Sequence, residues 1–154
     1  MKEVQGDNKN QAPMYNVLIW LNEKVADNDE KALRFYKAIE PSHDWNILND
    51  VLEWMIELAE QGDVDAQYNL GLHYKQTPNG DDKEAVKWFT KAANKGHILS
   101  CWNLGMYYEY GLGDIEKDVD KAIEWYTKVA NSDENYAIDA ELKLQKFKDS
   151  KENN

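Results

Sequence analysis

The chain has 154 residues, the length of one ordinary domain, which excludes a large catalytic domain joined to a second of similar size. Hydrophobic residues make up 42%, with six Trp and nine Tyr, too apolar and aromatic a composition for a disordered chain. The formal net charge of −11 is spread over both halves, which excludes nucleic acid as the natural ligand, because that affinity rests on Lys and Arg neutralising phosphates.

Residues 1–13 are polar and read as a disordered tail without the apolar run of a secretory signal. Helices are then expected near 15–26, 29–40, 46–61, 64–76, 82–95, 98–110, 119–131 and 134–148, with a second disordered tail at 149–154. The register comes from tryptophan. Trp20, Trp54 and Trp88 are spaced by 34 residues each and Trp125 follows after 37, with matching neighbours such as Val17-Leu18-Ile19-Trp20-Leu21 and Ala85-Val86-Lys87-Trp88-Phe89. Four copies of one helix follow. Between them lies a second kind of helix, clearest where Ala66-Gln67-Tyr68-Asn69-Leu70-Gly71 returns as Ser100-Cys101-Trp102-Asn103-Leu104-Gly105. A glycine inside a helix costs roughly 1 kcal/mol against Ala, so Gly71 and Gly105 predict close approach of a neighbouring helix. Turns are expected at 40–44, 77–82 and 111–114 from their Pro, Gly, Asn and Asp content, with Asp29, Asp63, Asp81 and Asp118 placed as helix N-caps. No strand is expected.

These residues resemble the SEL-one-like repeat family, α/α solenoid relatives of the tetratricopeptide repeats. The resemblance is carried by Ala66, Leu70-Gly71, Tyr74, Ala85, Trp88, Lys91-Ala92-Ala93 and Gly96, then by Leu104-Gly105, Tyr108, Gly111-x-Gly113, Asp118, Lys121-Ala122, Trp125, Lys128 and Ala130. It is best over 62–131. Elsewhere the pattern departs, with Lys37 and Gln145 where the family has glycine, as suits capping units. What the resemblance implies is an all-α protein, a right-handed α/α superhelix (solenoid) of about four helix-turn-helix repeats forming a single domain over 14–148. It further implies that the first helix of each pair lines a concave groove. The residues flanking the Leu-Gly core would then meet a polypeptide partner: Tyr68, Asn69, Leu72 and Gln76 from one unit, Trp102, Asn103, Met106 and Tyr110 from the next, and Arg34 from the degenerate unit.

The recurring tryptophans read as packing between repeats rather than as a ligand box. Trp102 lies off that register, where a large rigid ring suits either a binding hot spot or a buried helix face. Asn69 and Asn103 carry amides able to grip an extended peptide, as this place does in tetratricopeptide relatives, or to bond within their own repeat. His43, His73 and His97 fall in no metal spacing. The run Asp114 to Asp120 lacks the glycine of a calcium loop, and Trp125 stands where the last Glu ligand would be, so no metal is expected. Cys101, the only cysteine, has no His partner in sequence and reads as a small buried hydrophobe, and no phosphate loop or nucleophile motif is present. No cofactor and no catalysis are expected. The functional expectation is a non-enzymatic protein–protein interaction module, an adaptor, monomeric when free, whose acid excess suits a basic partner. An immunity or antitoxin-type inhibitor of a basic toxin domain is a narrower alternative, and a small-ligand binder or enzyme a more distant one. The longest apolar stretch, Val17 to Leu21, cannot span a bilayer, so a cytoplasmic location without membrane contact is expected.

Overall fold

The computed structural model describes residues 11–42, 45–77 and 80–152. Residues 1–10, the turn positions His43, Asp44, Pro78 and Asn79, and residues 153–154 lie outside the described residues. Among the described residues, eight α-helices follow in order and no strand occurs: α1 (Gln11–Ala26), α2 (Glu30–Ser42), α3 (Trp45–Gln61), α4 (Val64–Gln76), α5 (Asp82–Ala93), α6 (Ile98–Tyr110), α7 (Val119–Ala130) and α8 (Ala137–Glu152). Three bounds differ from the sequence expectation by three residues or more. The α8 helix starts three residues later than expected, at Ala137, and in the turn before it the Ser132 hydroxyl donates to the Val129 carbonyl at 2.6 Å. It then continues through residues 149–152, which the sequence reading had assigned to a tail. Residues 11–13, assigned to the other tail, belong to α1.

The expected caps explain several helix starts. Asp29 accepts from the backbone N–H of Lys31 and Ala32, Asp63 from Ala66 and Asp118 from Lys121, each satisfying an orphan donor of the first turn. His97 does the same for α6 through Nδ1, 3.2 Å from the Ser100 nitrogen, a cap the sequence did not suggest. The C-terminal ends of α1, α3 and α5 share one device. Asn28, Gly62 and Gly96 have positive φ, and the next residue donates its N–H five residues back: Asp29 to Lys24, Asp63 to Leu58, His97 to Ala92. These three left-handed positions recur every 34 residues, in step with the tryptophans.

The chain packs as two compact units, residues 1–81 and 82–154. In the first, α1 packs against α2, α3 and α4, and α3 against α2 and α4. Val17, Trp20 and Leu21 from α1 and Val51, Trp54, Met55 and Ala59 from α3 are buried at helical spacing, and the two indoles meet edge to face at 4.9 Å. Gln67 of α4 reaches across to the Ala59 carbonyl at 2.8 Å, and Lys24 at the end of α1 pairs with the Asp63 cap at 3.1 Å.

In the second unit α5, α6, α7 and α8 pack in sequence, each on the next. Its core is Ala85, Trp88, Phe89, Leu104, Tyr107, Tyr126, Val129 and Ala140. The expected close approach is present at Gly105: a Cβ there would lie 2.6 Å from the Tyr126 ring. Only glycine lets that ring sit against α6.

Candidate functional site

The nine residues expected to face a partner fall into two groups, one in each unit. In the first unit Arg34 and Gln76 are exposed, Tyr68 and Leu72 are half-buried, and Asn69 is buried. In the second, Trp102 and Met106 are half-buried, Asn103 is buried and Tyr110 is exposed. The two asparagines behave alike: Nδ2 of Asn69 donates to the Asp65 carbonyl at 3.0 Å and Nδ2 of Asn103 to the Leu99 carbonyl at 2.8 Å. Each amide nitrogen is thus bonded to the preceding turn of its own helix, one of the two arrangements its position allowed.

On α6 the expected residues join a cluster that sequence reading missed. Trp102 meets Tyr126 of α7 edge to face at 5.2 Å and lies 6.2 Å from Tyr136, which the turn before α8 delivers. Beside them Tyr126 donates its hydroxyl proton to Glu109 at 2.7 Å. Lys143 of α8 donates to both Glu109 oxygens at 2.9 and 2.6 Å, and to the Tyr110 hydroxyl at 2.7 Å. Burial pushes the Glu109 carboxyl up, but its bonds from Lys143 and Tyr126 outweigh this and hold it below the usual carboxylate range. The Lys143 ammonium, which burial alone would lower, is raised by Glu109 and Tyr110, and the Tyr126 phenol is raised by burial and by its bond to Glu109. Three helices are therefore tied by one charge-assisted hub, and Tyr110 is positioned by it. A second phenol, Tyr107, donates to Asp82 at 2.6 Å and fixes α6 to the start of α5.

The repeating tryptophans do pack as expected. Trp20, Trp54 and Trp88 are buried and Trp125 is half-buried. Each carries a lysine over its ring: Lys24 at 5.9 Å from the Trp20 centroid, Lys31 at 5.0 Å from Trp54, Lys91 at 3.9 Å from Trp88 and Lys128 at 4.0 Å from Trp125. Three of these lysines lie three or four residues after the tryptophan, a spacing visible in the sequence.

Cys101 is buried, and burial pushes its thiol up, with Lys128 pulling only partly back, which is the reverse of an activated nucleophile. Among the described residues no group of three or more His, Cys, Asp or Glu could hold a metal ion, and no helix is long and apolar enough to cross a membrane.

Residues 64–97 and 98–133 match the family model of the Sel1 repeat, two matches that together cover a little under half of the chain. The first match spans the residues of α4 and α5 and the second those of α6 and α7. The structure is similar to the crystal structure of a Sel1 repeat protein from Oxalobacter formigenes, at 27% sequence identity over 84% of this chain and 97% of that one, with a TM-score of 0.60. It is also similar to c5321, a protective antigen present in uropathogenic Escherichia coli strains that displays an SLR fold. There the identity is 23% over 87% of this chain, the TM-score is 0.56, and the match spans 29% of that chain, a likeness that concerns fold alone. No curated protein matches the chain. The architecture is all-helical and solenoid-like, as the sequence led one to expect. Sel1 repeats are generally protein–protein interaction modules, and proteins built from them are typically non-enzymatic scaffolds.

Proposed function

We propose that the protein is a non-enzymatic interaction module that binds another polypeptide on the faces of its first-type helices, chiefly α4 and α6. The observation that carries this reading is the α6 face within the second Sel1 repeat. It offers the half-buried Trp102 and Met106 and the exposed Tyr110, whose hydroxyl is held by Lys143. Rigid aromatic rings provide large contact area at low entropic cost, and the flexible Met106 thioether can adapt to a partner's shape, which is what a recognition surface requires. The acid excess favours a basic partner and speeds its encounter.

The test is co-purification from native cells with the immobilised protein, comparing the parent with Tyr68→Ala/Leu72→Ala on α4 and with Met106→Ala/Tyr110→Ala on α6. One recurrent partner is expected with the parent and is lost from at least one variant, while circular dichroism shows unchanged helicity. A purified sample that turns over a substrate unaided, or a partner retained equally by both variants, would overturn the reading.

A further inference from the structure

Tryptophan chemistry in this molecule follows a rule with one exception. Four of the five tryptophans whose side chains the structure describes have a lysine of the same chain standing 3.9 to 5.9 Å from the ring centroid. The electron-rich face of an indole attracts a cation, and these pairs are built into the fold. Tyr108, Tyr110 and Tyr126 are served likewise by Lys121 and Lys143. Among the described residues, Trp102 is the one tryptophan with no lysine over it, and its ring neighbour Tyr136 has none either.

The pair is accessible. Trp102 is half-buried, Tyr136 is 42% exposed, and the two rings are tilted by 38° at 6.2 Å. The turn that delivers Tyr136 also presents the exposed carboxylates of Asp133 and Glu134, and Asp139 follows on the first turn of α8. An aromatic pair with exposed carboxylates within three residues of Tyr136 in the chain complements a guanidinium, which stacks flat on aromatic rings while its N–H groups bond carboxylates. We infer that Trp102 and Tyr136 form a docking site for an arginine side chain of a basic polypeptide partner. The inference rests on the interaction reading above and specifies the chemistry of that partner at one point on α6.

The test uses the full chain and a defined probe, acetyl-Arg-Arg-Arg-amide, against the uncharged isostere acetyl-citrulline-citrulline-citrulline-amide. The six tryptophans give up to six indole N–H signals in a nitrogen–proton NMR spectrum, and Trp102→Leu identifies its own. The expected result is a saturable shift of the Trp102 signal with the arginine peptide and none with citrulline. Affinity should fall about fivefold in Trp102→Leu and about twofold in Tyr136→Ala. Tyr136→Ala removes an exposed ring and keeps the test valid where the Trp102 variant loses packing. Equal shifts with both peptides would mean an apolar or amide-binding surface. Unchanged affinity in both variants would mean attraction by the diffuse acid field. Either result overturns the assignment, and neither disturbs the interaction reading, which is tested separately by co-purification and by turnover.

Discussion

The two units solve the same packing problem differently. In residues 82–154 a notch at Gly105 lets the Tyr126 ring press against α6, and the phenol it delivers is locked by Glu109 and Lys143. In residues 1–81 the family's glycine position occurs twice, as the buried Gly71 on α4 and as the exposed Lys37 on α2, and the largest buried rings are Trp20 and Trp54. Among the described residues, Asn16 Nδ2, Trp20 Nε1 and Gln67 Oε1 are buried without partners in the first unit, whereas the second has only Trp88 Nε1. Each such atom costs about 1–3 kcal/mol.

The contrast can be broken most strongly at the indoles. Trp20→Ala removes a fully buried ring and is expected to lower stability by about 3–5 kcal/mol in denaturant unfolding. Trp125→Ala, at the matching place but half-buried, should cost clearly less. Gly105→Ala tests the notch: the added methyl collides with a rigid ring, so a loss of about 1–3 kcal/mol is expected, read as a lower melting temperature.

The hub gives the smallest effect and a pH signature. Glu109 has its carboxyl lowered from an ordinary value of 4.5, so its contribution is present above that value and is lost as pH falls through the lower folded value. Lys143 is raised from 10.5, so its contribution is present below that value and is lost only as pH rises through the higher folded one. Both operate at neutral pH. Lys143→Met should then cost about 1–2 kcal/mol at pH 7, because the pair is only partly buried, and Glu109→Gln should flatten the decline in melting temperature below about pH 4.5.

Much of this arrangement was readable in the chain because its signals are local and repeated. The tryptophan interval set the helix register, Asp29, Asp63 and Asp118 marked starts by their side-chain chemistry, and Gly105 announced a close neighbour. What escaped depends on residues brought together only by packing. Glu109 and Lys143 stand 34 positions apart with no motif to join them, and Lys31 reaches Trp54 from a different helix. Asn69 and Asn103 were correctly singled out as a repeated pair, yet an amide on a helix has two equally good partners, and only coordinates reveal the bond to the preceding turn. The His97 cap escaped because imidazole is an uncommon substitute for Asp, Ser or Thr at that place.

The left-handed residues at 28, 62 and 96 have a consequence for how this chain can change length. Each stands eight positions after its tryptophan, so adding a residue between them would rotate the following helix by about 100° and turn its apolar stripe outward. Gly111 ends α6 by the same device, with Leu112 donating five residues back to Tyr107, yet the stretch from a first-type helix to the next helix differs in length between the two repeats. It is here that the chain grows: five residues link α4 to α5 and eight link α6 to α7, which accounts in full for the step from a 34-residue to a 37-residue interval. Insertions, tags or grafted epitopes should therefore be accommodated near residue 114 and rejected at residue 62.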